Sequence, residues 1–130
     1  MKKTFSIILS LAMSVLVFAQ QKSPSISWDK TSHNFETIKQ EDGLVKYRFI
    51  FENTGNEPLV LLKVKAECGC TTVDYNKEPI APGAKGFVEV SYDPKNHSGI
   101  FDKKITVLTN ETLQPASILR ITGEVVYGSK

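Results

Sequence analysis

From Ile26 onward, apolar and polar side chains alternate with a period of two, and turn-forming residues interrupt the pattern roughly every eight to twelve positions. Successive side chains of an extended chain point to opposite faces, so this pattern predicts strands. Residues 33–38 form the first. In 44–52, Val45, Tyr47, Phe49 and Phe51 share one face while Lys46, Arg48 and Glu52 share the other, the alternation of a half-buried strand. Asn53, Thr54, Gly55 and Asn56 follow as turn formers, because Asn and Gly tolerate positive φ angles. The run 59–66 is nearly continuous apolar sequence broken by Lys63 and Lys65, which predicts a central strand covered more fully than its neighbours.

A short strand is expected at 73–75. Pro79, Pro82 and Gly83 then mark a rigid turn before 86–92, where Val88, Val90 and Tyr92 line up and Asp93-Pro94 ends the strand. Strands at 100–108 and 118–126 complete the set, with Ile105, Val107, Leu119, Ile121 and Val125 as inward candidates. About seven short strands in roughly 100 residues suit two sheets packed face to face: an all-β, immunoglobulin-like β-sandwich with no need of a helix.

The first residues break this picture. Met1, Lys2 and Lys3 precede an apolar run from Phe5 to Phe18 that ends at Ala19, the layout of a cleavable signal peptide. The run is too short for a membrane-crossing helix, which needs about 18 or more apolar residues. No cysteine lies near Ala19 to carry a lipid anchor. The expected division is therefore a signal peptide at 1–19, an N-terminal segment at 20–32 and one domain at 33–127. The product would be periplasmic or secreted, without a membrane span. Loss of Lys2 and Lys3 brings the 16 basic residues down to the number of acidic ones, 14. That balance removes the sequence-independent pull toward nucleic acid or anionic lipid that a basic protein has. Both methionines, Met1 and Met13, also fall in the expected signal.

Four phrases occur in order: Asn53-Thr54-Gly55-Asn56-Glu57-Pro58-Leu59, Cys68-Gly69-Cys70-Thr71, Pro79-Ile80-Ala81-Pro82-Gly83 and the strand end at Thr109-Asn110. Together they resemble the bacterial exported family called domain of unknown function 1573, over about Phe35 to Val125. The resemblance implies an immunoglobulin-like fold akin to hydin-like and sperm-protein-like modules. It implies no activity and supplies no catalytic residues.

Cys68 and Cys70 are the only cysteines, and three readings of them stay open. The first is a disulfide. In a regular strand, residues two apart lie roughly 6.6 to 6.8 Å between Cα atoms, at the upper limit of what a disulfide spans. Gly69, free to take unusual backbone angles, would fold the segment more tightly. The second is soft-metal capture, since two thiolates on one face suit copper(I). With no methionine outside the signal, only His33 and His97 remain to assist. In an alternating sandwich His97 returns to the pole of the cysteines while His33 begins the first strand at the other pole, so a metal set of Cys68, Cys70 and His97 is the most one monomer offers. The third is burial as small hydrophobes.

A reactive Cys/His dyad would use His97, with Asp93 or Asp102 as the orienting carboxylate. Asn96-His97-Ser98 and Asn110-Glu111-Thr112 match the glycosylation pattern but are also turn sequences. Trp28, Tyr75 and Tyr92 suit either a ligand surface or core and edge cover. No phosphate-binding glycine loop, nucleophile elbow, paired-histidine metalloprotease motif or dinucleotide fingerprint is present. The expected function is that of an exported, non-catalytic binding or scaffolding module that meets another envelope component through a strand edge or pole loop, with no resident cofactor. The alternative is copper(I) binding or redox chemistry at Cys68 and Cys70.

Overall fold

The computed structural model describes residues 22–127; the expected signal peptide lies outside them. Eight strands form: β1 (Ile26–Trp28), β2 (Ser32–Lys39), β3 (Val45–Asn53), β4 (Leu61–Ala66), β5 (Thr71–Tyr75), β6 (Lys85–Tyr92), β7 (Gly99–Thr109) and β8 (Ala116–Val126), with one 3-10 turn at Gln40–Asp42. They build two four-stranded sheets, ordered β1-β3-β6-β5 and β2-β8-β7-β4. The fold is an all-β sandwich of immunoglobulin-like type, as the alternation predicts. The inward candidates fill its middle: Phe49, Phe51, Val88, Val90, Tyr92, Ile105, Val107, Leu119, Ile121 and Val125 are all buried. Their partners on β3, Lys46 and Arg48, are exposed.

The eighth strand is β1, which extends the folded unit N-terminal of residue 33. Three residues are too few to show a period, and β1 exists because Ile26 and Trp28 pair with Asn53 and Phe51 of β3. The Trp28 ring meets Phe51 edge-on at 5.2 Å, so this aromatic is core cover.

Two expectations about position are corrected. β4 is an edge strand, paired with β7 alone, and not a central one. Its apolar run misleads because Leu59 leaves the sheet to bridge Ile80, and a register shift between Leu61 and Lys63 turns Leu62 outward, 62% exposed. β2 in turn runs parallel to β8, with His33 opposite Ile121. His33 therefore sits partway along an edge strand and not at a pole. Its ring stacks on Tyr47 at 3.8 Å and meets Phe35 edge-on at 4.6 Å.

That setting makes His33 a pH-dependent element. Burial holds its pKa below 6.5, Lys30 adds to the effect and Glu36 opposes it. The unfolded chain then binds the proton more readily than the folded one, so stability rises with pH across the interval between the two values. Urea denaturation should show full stability above pH 6.5 and a loss as the pH falls through and below it. His33→Gln should flatten this part of the profile, and an unchanged slope would count against the assignment.

The two poles are built differently. At one, Asn53 is completely buried and its side chain makes four hydrogen bonds. Nδ2 donates to the carbonyls of Glu57 (2.7 Å) and Ile80 (2.9 Å), while Oδ1 accepts from the backbone N–H groups of Gly55 (3.0 Å) and Ser25 (3.3 Å). Gly83 N–H donates to the Asn53 carbonyl at 2.7 Å. Asn110 closes the neighbouring strand end: its Oδ1 accepts from Val60 N–H at 2.9 Å and its Nδ2 donates to the Pro58 carbonyl at 3.1 Å. Three of the four phrases that carry the family resemblance thus meet in one hydrogen-bonded hub. Asn53 and Gly55 do not take the positive φ angles expected of them; Gly83 does, at 80°. Gly55 is needed for space, since a Cβ there would lie 2.3 Å from the Ser23 carbonyl oxygen.

Candidate functional site

The fourth phrase stands apart, at the opposite pole. β4 ends at Ala66, and Glu67 is tied to β7 by its N–H to the Lys104 carbonyl (3.0 Å) and by its carboxylate accepting from Lys104 N–H (2.9 Å). The chain then crosses from one sheet to the other. Thr71 opens β5 opposite Tyr92, and the Cys70 carbonyl accepts from Asp93 N–H at 2.9 Å. Cys68, Gly69 and Cys70 are the crossing itself.

Within it, Thr71 N–H donates to the Cys68 carbonyl at 3.2 Å, closing a four-residue turn. Neither Gly69 nor Cys70 has a positive φ, so the turn belongs to the common type that most residues can adopt. This corrects the role expected of Gly69: the turn does not demand unusual glycine angles, and a Cβ at that position would meet nothing within 4 Å. The turn brings the Cα atoms of Cys68 and Cys70 to 5.4 Å, and a disulfide joins their sulfurs. Both cysteines are half-buried with Gly69 exposed between them, and Cys70 packs against the core. The Thr71 hydroxyl is 3.8 Å from each sulfur and can donate to either. Thr71 is itself buried. Its part in the site depends on this turn and could not be read from spacing.

His97 lies on the exposed β6–β7 loop at the same pole. Its carbonyl accepts from the Gln40 side chain, and its ring centre is 6.0 Å from that of Tyr92. Asp93 and Asp102, the carboxylates considered for a dyad, are otherwise engaged. Asp93 accepts from Lys95 N–H at 3.0 Å, and Asp102 pairs with Arg120 at 3.2 Å. Among the described residues, no three His, Cys, Asp or Glu side chains converge as a metal site. In the disulfide form the two sulfurs are no thiolates for copper(I). Tyr92 is buried and stacked on Phe101 at 4.1 Å, and burial followed by Asp93 pushes its pKa above the ordinary 10.0. Tyr75 lies under the Lys77 ammonium, 3.3 Å from its ring centre.

The site's flank is the outer edge of β5. The Cys70 carbonyl accepts from Asp93 N–H just past the end of β6, and Asn76 N–H donates to the Phe87 carbonyl of β6 at 3.4 Å. In an antiparallel ladder the intervening residues alternate, so Thr71, Val73 and Tyr75 turn their peptide groups away from β6. Tyr75 N–H is held by the Asp74 carboxylate at 3.0 Å; the Val73 peptide groups face outward. The other three edges are interrupted. β1 has three residues, β4 carries its register shift and two lysines, and β2 is broken between Asn34 and Thr37, with Glu36 at φ 61°.

Among the described residues, no helix is long and apolar enough to cross a membrane. No curated protein matches the chain. A protein of unknown function from Porphyromonas gingivalis W83 superposes with a TM-score of 0.70 at 16% identity, over 81% of this chain and 48% of that one. This chain thus spans about half the length of that protein. The PapD-like domain 7 of human CEP192 gives 0.67 at 9% identity, over 83% of this chain and 89% of that domain, and the periplasmic chaperone SfaE gives 0.55 at 9%, over 81% and 59%. At these identities the likeness is one of fold: the sandwich architecture is shared with PapD-like domains. The family model described as "Protein of unknown function (DUF1573)" matches residues 26–125, from the first strand to the last, and the chain belongs to that family.

Proposed function

We propose that the protein is exported by the signal at 1–19 and serves as a non-catalytic binding module of the bacterial envelope, accepting a strand of a partner protein along β5. The observation that carries this reading is the character of that edge. β5 pairs with β6 in unbroken register from Thr71 to Tyr75, its outward peptide groups face away from β6, and the other edges carry the interruptions by which natural sheets discourage pairing. An added strand takes its affinity from main-chain hydrogen bonds, and Thr72 and Asp74, both exposed, flank the bonding positions and tune specificity. The fold shared with a periplasmic chaperone supports the same reading.

The test uses a proline. At Val73 it removes an N–H that faces solvent and leaves the ladder to β6 intact, a place where an edge strand tolerates proline. A photo-crosslinking residue at Thr72, in cells of the native host, should give one discrete adduct. Val73→Pro should reduce that adduct at least tenfold, while the same probe at Lys63 on β4 gives none. Adducts at Lys63 but not at Thr72, or adducts indifferent to Val73→Pro, would contradict the proposal. Mass spectrometry of the purified protein should find a chain beginning at Gln20.

A further inference from the structure

We propose that the Cys68–Cys70 disulfide is a thiol–disulfide exchange site whose substrate is a protein dithiol, and that the Thr71 hydroxyl stabilises the thiolate that leaves. This activity is separate from strand capture and does not depend on it.

The pair contributes little as a staple. Its loop has a sequence separation of 2, so little chain entropy is removed by closing it. The strands on either side are already fixed by Glu67 on Lys104 and by Cys70 on Asp93. The hub at the far pole accounts for the other three phrases, and it leaves this one without a structural task. What the phrase does possess is access and a donor. The turn lies at the surface with Gly69 and Thr72 exposed on either side of Cys70, and nothing stands within 4 Å of where a side chain on Gly69 would begin. A disulfide that solvent can reach is reduced more readily than one sealed in a core, and this half-buried pair sits on a surface turn.

One thiolate of the dithiol attacks a sulfur of the pair, forming a mixed disulfide and expelling the other cysteine as a thiolate, which takes up a proton. The second thiol of the substrate, losing its proton, attacks the mixed disulfide and displaces the remaining cysteine, which is protonated in turn. Two electrons pass to this protein; the substrate leaves as a disulfide and Cys68 and Cys70 as thiols. Thr71 Oγ1, at 3.8 Å from both sulfurs, can donate to whichever one leaves. A hydrogen bond to a charged group outweighs one to a neutral group, so the hydroxyl favours the thiolate over the disulfide. Thr71 is thus a positioning residue for the leaving sulfur.

The experiment equilibrates the purified, exported protein in glutathione buffers of graded ratio and counts trapped thiols by mass spectrometry. The pair should be half reduced within the buffering range of glutathione, where structural disulfides stay oxidised. With dithiothreitol as the dithiol probe, Thr71→Val should slow reduction about tenfold and Thr71→Ser should restore it. The thiolate absorbance of the reduced protein should titrate at higher pH in Thr71→Val. If Thr71→Val fails to fold, Cys68→Ala and Cys70→Ala each serve instead: the remaining cysteine should accumulate the glutathione mixed disulfide. A pair that stays oxidised throughout the glutathione range, an unchanged rate and titration in Thr71→Val, or single-cysteine variants that take up no glutathione would overturn the proposal.

Discussion

Replacing Asn53 with leucine should cost about 3–5 kcal/mol, a large share of the roughly 5–15 kcal/mol that holds an ordinary domain folded. The size follows from what the side chain holds. Leucine is close in volume but has no polar atoms, so the carbonyls of Glu57 and Ile80 lose a donor, and the N–H groups of Gly55 and Ser25 lose an acceptor. Each polar group left buried without a partner costs about 1–3 kcal/mol. The Ile80 carbonyl keeps the Leu59 N–H at 2.9 Å, and Ser25 is only partly buried, which keeps the sum below four full penalties. Aspartate should not rescue. It keeps the two accepting bonds but turns a carboxylate oxygen toward two carbonyl oxygens in a fully buried place, where an unpaired charge is costly. Chemical denaturation of both variants checks this, and a loss under about 1 kcal/mol in either would show that the hub does not hold the pole together.

Gly86→Ala should also destabilise the sandwich, although it adds only a methyl group. Gly86 is buried on β6 opposite Phe51. A Cβ at that position would lie 2.5 Å from the Phe51 ring and 2.8 Å from the Asn76 side-chain oxygen, which accepts from Phe87 N–H at 2.6 Å. Phe51 is 1% exposed and packed against Trp28, so it has no free space into which to turn. Relief requires a shift of the core ring or the loss of the Asn76 bond, and overpacking of this kind costs about 1–3 kcal/mol. Combining Gly86→Ala with Phe51→Leu should recover part of the loss, since the smaller side chain vacates the colliding position. Equal stability of Gly86→Ala and the unchanged protein, read from thermal or urea melts, would mean that the strands can part without penalty.

The inward faces were legible in the sequence because they depend on a local period that long β-branched and aromatic runs display plainly, as in Phe49, Phe51, Val88 and Val90. The work of Asn53 was not. Its partners Ser25 and Ile80 lie 28 and 27 residues away, and an asparagine before Thr-Gly reads locally as a turn former. Strand order was hidden for the same reason. The apolar run ending at Ala66 gives no sign that a shifted register will push Leu62 outward or that β4 will end up at an edge. Parallel pairing of β2 with β8 joins the two ends of the domain, and no window of sequence contains both. At the candidate site the two cysteines announced themselves by spacing, whereas the Thr71 hydroxyl became part of it only once the turn placed it beside both sulfurs.

One pole and the core hold the sandwich together, and the cysteine crossing is free for chemistry. Urea denaturation of the protein with the Cys68–Cys70 bond intact, and again with the pair held as thiols by excess reductant, measures this directly. One cooperative transition is expected in both forms, with a loss on reduction no larger than the roughly 1.5 kcal/mol that closing so short a loop can contribute. Collapse of the native near-ultraviolet circular dichroism on reduction, before any urea is added, would contradict it.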